Sequence, residues 1–353
     1  WKSQAAVREA AAPVLFNLVL ILAVLGFSDR LETPGHVLCW AVSAAGLIQF
    51  LWMAWYCKRV GFPIRFRRPR LTEKVRLLGS RILPVIFGSS LYQINLLIGT
   101  ILATLVADGA VSYLYYADRV AQLPLGVVGV AVGTALLPTL SRQLASGDIT
   151  AATSSQNRGL ELALLLVLPA AVALLVMAEL IIGALFERGA FGPTETKATA
   201  DALMAYAGGL PAYVLIRVLT PGFFAREDTK TPGLIAAAAM GVNIVLNLIF
   251  MQIWGHVGLA LASSSAAWVN AVVLAVVLRR RGQLLIDMRL RNRVLRIVLA
   301  TSGMAIGLLI GDRALAGFFK ELYYEEGLVL VLLIIGGLLL YGALAQVLGA
   351  AQW

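Results

Sequence analysis

The chain has 353 residues, of which 60% are hydrophobic and 14% charged, with a formal net charge of +10; soluble domains carry about half apolar and a quarter charged residues. A water-soluble core of this length cannot hide so much apolar surface, which excludes a soluble fold. The basic excess is spread over alternate short connections, so it reads as topology determination and excludes a nucleic-acid surface.

Ten apolar segments follow one another at 10–28, 36–57, 80–106, 110–139, 159–185, 197–224, 232–253, 257–278, 297–311 and 327–349. They approach the ~20 residues that cross a bilayer core, and they are too long and too uniformly apolar for barrel strands. Only helices then satisfy their backbone in lipid, so an all-α membrane bundle is expected. The chain begins at Trp1, without an initiator Met or signal-like region, and reads as lacking an N-terminal portion. Cys39 and Cys57 stand at opposite ends of the second segment, too far apart to pair. The connection KRVGFPIRFRRPRLTEKVRLLGSR, Lys58 to Arg81, reads as a linker along an anionic cytoplasmic surface. A second basic run, Arg279 to Arg296, precedes the last two segments.

Orientation follows from the basic residues. Arg30, Arg188, Lys197, Arg313 and Lys320 lie in one set of alternate connections, and Arg119 and Arg217 fall inside segments. All the others lie in the opposite set, which places both ends of the chain in the cytoplasm.

The charges inside segments carry the chemistry, because ionisable groups in a membrane usually face a wet cavity. Asp118 and Arg119 lie two turns into the fourth segment, followed by Pro124 and a stripe of Gly126, Gly129 and Gly133. Arg119 presents a permanent fork suited to phosphate oxygens; the alternatives are a structural pair with Asp118, disfavoured by the ~100° between adjacent helical positions, or snorkelling. The glycines read as close helix packing. Arg217 sits between Pro211 and Pro221 in the sixth segment, either lining a path at a hinge or paired structurally. The loop Arg226, Glu227, Asp228, Lys230 reads as a solvated turn. Asn243 and Asn247, one turn apart, together with Asn95 and Ser264, either coordinate a cation or hydrogen-bond helices together. Glu161 and Glu179 fall near segment ends and are expected to reach the headgroups. No catalytic constellation, metal-ligand spacing or GxxxxGK[ST] phosphate loop is present in the sequence, and neither enzyme activity nor a cofactor is expected.

The stretch YYADRVAQLPLGVVGVAVGTALLPTLS, Tyr115 to Ser141, resembles the signature region of the MurJ (MviN) family of lipid II flippases, and VLTPGFFAREDTKTP, Val218 to Pro232, resembles a second segment of that family. The resemblance implies the MOP-superfamily fold, two six-helix lobes around a central cavity, with two extra helices. Residues 1–57 would be the last two helices of the first lobe, 58–79 a linker, 80–278 the second lobe, and 279–353 a basic loop with the extra pair forming a groove for the lipid tail. It implies an undecaprenyl-pyrophosphate-linked peptidoglycan precursor as substrate, moved across the bacterial cytoplasmic membrane by alternating access, with Asp118, Arg119 and Arg217 at the substrate and Pro124, Gly126, Gly129 and Pro221 as hinge and packing positions. Further cavity arginines of the family belong to first-lobe helices that this chain would lack. Some relatives bind sodium through carboxylates where Asn95, Asn243 and Asn247 stand here, so coupling rests on membrane potential or a weakly held monovalent ion. Membrane lipids and cell-wall synthesis proteins are the expected partners of a monomeric transporter. The rivals are an exporter of the same superfamily for an oligosaccharide-lipid or a drug, an intramembrane glycosyltransferase, and a scaffold; a drug exporter is expected to place carboxylates in its cavity, and a glycosyltransferase needs a catalytic cluster.

Overall fold

The computed structural model describes residues 11–27, 34–59, 93–318 and 325–351, and the chain divides into two compact units, Trp1–Arg81 and Ile82–Trp353. Among the described residues the backbone is helical almost throughout, and the only pairing of strand type is a bridge between Arg188 and Phe191. Each of the ten apolar segments is helical where it is described, apart from Met177 in the fifth and residues 348–349 at the end of the tenth. Residues 60–79 of the expected linker and 80–92 of the third segment lie outside the described residues, as do Lys2, Arg8, Arg30 and Lys320.

The first unit is a hairpin of α1 (Ala11–Phe27) and α2 (Pro34–Arg59). On α2, Val37, Ala41 and Ala45 are buried; spaced by four, they form one narrow small-residue face. Cys39 and Cys57 are free thiols.

The second unit comprises α3 (Gln93–Val106), α4 (Ala110–Ala145), α5 (Ile149–Val176), α6 (Ala178–Phe186), α7 (Pro193–Phe224), α8 (Lys230–Arg280), α9 (Met288–Phe318) and α10 (Glu325–Val347). Its centre is α7, the most buried of the long spans, which packs against α4, α5, α6 and α8. At 51 residues α8 would run about 76 Å unbroken, far beyond one bilayer. It folds back at Gly255, whose φ of 56° suits a residue without Cβ, and the sequence reading likewise ends one segment and begins the next around this glycine.

The fifth and ninth segments differ most from the sequence reading; the ninth, expected at 297–311, is α9 and runs from Met288 to Phe318. The fifth segment, expected at 159–185, starts at Ile149 and is interrupted at Met177. Its start is fixed by Asp148, whose carboxylate accepts the Ala151 N–H at 2.8 Å, so the helix runs through polar residues that hydropathy leaves out. Within α5, Pro169 cannot donate to the carbonyl of Leu165, and the Tyr341 hydroxyl of α10 donates to it instead at 2.6 Å. α10 is thereby tied to α5.

Glu161, expected near a segment end, is instead buried in an ion-pair cluster. Because α5 begins early, Glu161 lies well inside it, with 7% of its side chain exposed, ion-paired to Arg158 and Arg293 and 3.6 Å from Arg289. Arg158 also pairs with Asp287, and Asn157 donates to the Leu285 carbonyl at 2.8 Å. These contacts clamp the basic run onto α5, while Glu179 is exposed. Burial pushes the Asp287 carboxyl up, but the Leu290 N–H and the Arg158 guanidinium outweigh it and hold the group below its ordinary value. The Arg226 loop is likewise built rather than merely solvated. Arg226 donates to the Gly222 carbonyl at 2.6 Å, closing the end of α7, and burial lowers its basicity. Arg281 pairs with Asp228 at 2.6 Å and lies over the Phe223 ring, and with Thr231 it holds the Asp228 carboxyl far below the usual range.

Two outcomes follow. Glu161→Gln, which leaves buried arginines uncompensated, should cost about 3–5 kcal/mol of stability, against under about 1 kcal/mol for the more exposed Arg289→Gln; thermal unfolding in detergent reads the difference. Asp228 and Asp287 have folded-state pKa values below the unfolded value of about 3.9, so their stabilisation is complete above that pH and disappears as acid passes the folded values. Stability should therefore be insensitive to Asp228→Asn at strongly acid pH and sensitive to it near neutrality.

Candidate functional site

The site is built from one stripe of α7 facing the stretch of α4 around Pro124. Tyr206, Leu210, Tyr213 and Arg217 recur at spacings of four, three and four, so they share a helix face. With Asp118, Gln122, Leu125 and Gly126 of α4 they enclose a cavity of about 430 Å3. Arg217 Nη1 donates to the Leu125 carbonyl at 3.3 Å, directly after Pro124. A Cβ added at Gly129 would overlap the Arg217 guanidinium, so this glycine is what lets the arginine lie against α4. Gly126 lines the cavity without such a contact, and Pro221 is buried near the end of α7.

Asp118 and Arg119 diverge. Asp118 is half-buried, accepts a hydrogen bond from Gln122 Nε2, and lines the cavity. Arg119 is exposed and lines none of the three connected cavities here. Its guanidinium sits 4.8 Å from the Tyr115 ring centre, with a long 3.5 Å contact to Gln122 Oε1, and it forms no ion pair among the described residues. Gln122, three residues from Arg119 and four from Asp118, is thus held by both.

The cavity continues past Asp118, Tyr206 and Tyr213 into a second of about 240 Å3, where Asn95, Asn243, Asn247 and Ser263 converge. A third, about 440 Å3, shares Asn95, Tyr213, Asn243 and Ser263 and extends to Asn270. Asn247 donates to Asn243 Oδ1 at 3.1 Å, and Asn243 approaches Ser263 Oγ at 3.5 Å. Among the described residues the Oδ1 atoms of Asn95 and Asn247 have no hydrogen-bond partner. Ser264 is placed elsewhere: its hydroxyl donates to the Ala205 carbonyl at 2.7 Å and it packs on Gly209, so it joins α7 to α8. The adjacent Ser263 takes the position expected for it, since one residue turns the helix face by about 100°.

Gln122, Tyr206, Tyr213, Ser263 and Asn270 are site residues that the sequence reading passes over. The spacing of the α7 tyrosines to Arg217 is the signal that identifies them. If Gly129 exists to seat Arg217, Gly129→Val and Arg217→Met should each lower the melting temperature, and the double variant should lose clearly less than the sum.

Several known proteins are similar to this chain. The family model described as lipid II flippase MurJ matches residues 7–327. A probable lipid II flippase MurJ from Rhizobium meliloti (strain 1021) is 46% identical over 307 residues, covering 85% of the chain and 57% of that relative. One from Rhizobium tropici is 40% identical over 349 residues, covering 97% and 65%. The chain thus spans about three fifths of the curated relatives it matches. The solved lipid II flippase MurJ in an inward closed conformation superposes with a TM-score of 0.77 over 96% of the chain and 66% of that structure, at 23% identity. A multidrug resistance MATE transporter of the MOP superfamily, outward-facing, gives 0.51 at 18% identity over 76% and 63%. The two structural likenesses show the fold.

Proposed function

The chain belongs to the lipid II flippase MurJ family, and we propose that it is the part of such a flippase that carries an undecaprenyl-pyrophosphate-linked peptidoglycan precursor from the cytoplasmic to the periplasmic leaflet by alternating access. The observation that carries this reading is the state of Arg119. It lies nine residues into α4, about 13 Å along the helix, with an aromatic face and an amide as its contacts. A guanidinium without a carboxylate partner keeps its donors for an anion, and a pyrophosphate accepts them bidentately. Arg217 and Asp118, at the neighbouring cavity, support the polar headgroup, and Pro124 and Pro221 with Gly126 and Gly129 allow the helices around it to adjust. A drug exporter, expected to place carboxylates in its cavity, fits less well, since Asp118 is the single carboxylate among the described residues lining these cavities and stands beside Arg217.

The protein acts as a multi-pass membrane transporter with both ends of the chain in the cytoplasm, without catalysis, with membrane lipids as surroundings and as a monomer that meets cell-wall synthesis proteins. α9 and α10 accommodate the lipid tail. Membrane potential assists export, a unit charge moved across 100 mV being worth about 2.3 kcal/mol. A coupling monovalent cation would sit at Asn95, Asn243, Asn247 and Ser263, bound weakly by neutral oxygens.

Arg119→Ala in the full-length protein should abolish rescue of a flippase-depleted strain, and Arg119→Lys should restore little because a point charge replaces the fork. Normal growth at normal expression would defeat the assignment. Asn247→Asp should make transport respond to lower sodium concentrations; an unchanged sodium response marks the amides as helix packing.

A further inference from the structure

A separate cavity of about 460 Å3 lies between α7 and α8, at the end of the second unit away from the Arg226 loop. It is lined by Asp201, Met204 and Ala205 of α7 and by Trp254, Val257 and Leu261 of α8. Asp201 is half-buried and forms no ion pair or hydrogen bond among the described residues. It stands eight residues after Pro193, about 12 Å along a helix longer than the bilayer core, which sets it near the level where headgroups meet hydrocarbon. A carboxylate there is costly without a cation.

The walls are fixed. Trp254 stands edge-on to Phe250, with ring centres 5.1 Å apart, immediately before the reversal at Gly255. His256 then ties that reversal to α7 through Nε2 and the Ala198 carbonyl at 2.9 Å. The indole is half exposed beside the carboxylate, and Ile249 and Ile253, on the preceding turns, are exposed apolar side chains.

The geometry points to a binding site for a bilayer phospholipid with an ammonium headgroup, of the phosphatidylethanolamine class. The ammonium pairs with Asp201 and lies against Trp254, where a cation–π contact adds to the charge attraction; the acyl chains run over Ile249 and Ile253. A bare metal ion does not fit, because hard cations need several oxygen ligands and no other lining side chain supplies one. Lys197, one turn earlier on α7, is exposed and makes no bridge to Asp201.

Titrating the purified full-length protein in detergent with phosphatidylethanolamine or phosphatidylglycerol, read by native mass spectrometry, tests this without reference to transport. Asp201→Asn, which keeps the shape, should weaken phosphatidylethanolamine binding about tenfold, Trp254→Leu should weaken it in the same direction, and both should leave phosphatidylglycerol binding unchanged, which also reports correct folding. Equal phosphatidylethanolamine binding by wild type and Asp201→Asn overturns the proposal. So does a site that ignores phosphatidylethanolamine and takes only an amine-bearing precursor lipid.

Discussion

Inside a bilayer a polar group has no water to turn to, so a freed carbonyl or a charge in the second unit is costly unless it finds a partner in protein or lines a cavity. That constraint places most of the side chains described above. Ser264 and Trp268 donate to carbonyls of α7, at Ala205 and Gly208. Tyr341 takes the carbonyl that Pro169 leaves open, and Arg217 settles on the carbonyl of Leu125. These are also the bonds that hold α4, α5, α7, α8 and α10 in register. Lipid gives helices little hydrophobic reason to associate, so packing and interhelical hydrogen bonds carry that task.

The same constraint separates the charges into kinds. Glu161 is fully committed, surrounded by arginines that neutralise it and that it neutralises. Asp118 is satisfied by Gln122 on its own helix yet still borders open space. Arg119 is contacted by a ring and an amide, neither of which cancels its charge. A buried network with all its partners in place fixes structure. A cation that meets a ring and an amide is not fixed in that way.

Hydropathy and basic-residue spacing make the helical segments, their order and the turn at Gly255 legible in the sequence, since these depend on local composition alone. The charged residues Asp118, Arg119 and Arg217 are legible for the same reason: a charge in an apolar run stands out wherever it points. Direction is what the sequence conceals. Whether residue 263 or 264 faces the asparagines depends on the rotation of α8 against α7, and both are serines. Glu161 looks terminal because the stretch before its apolar run, ITAATSSQNR, is mostly polar, although Asp148 starts the helix ahead of it. Its partners Arg289 and Arg293 lie more than a hundred residues away, so no local pattern announces the cluster.

The distribution of restraint within the second unit bears on how it can move. On the side of the arginine-rich loops, Glu161 and Asp287 bind α5 to α9, and Asp228 binds the α7–α8 connection to the end of α8, through charge-assisted contacts. Around the cavity the opposite holds. Pro124, Pro211 and Pro221 each remove a backbone donor, so the carbonyls of Val120, Ala207 and Arg217 lose their helical partner. Gly126 and Gly129 lie on the same stretch of α4. The backbone is therefore least constrained where the polar cavity lies, and most constrained at the loop end. A ligand that drew Arg217 off the Leu125 carbonyl would act on the one stretch of α4 where proline and glycine make bending cheap, while the ion-paired end keeps the remaining helices together as a body.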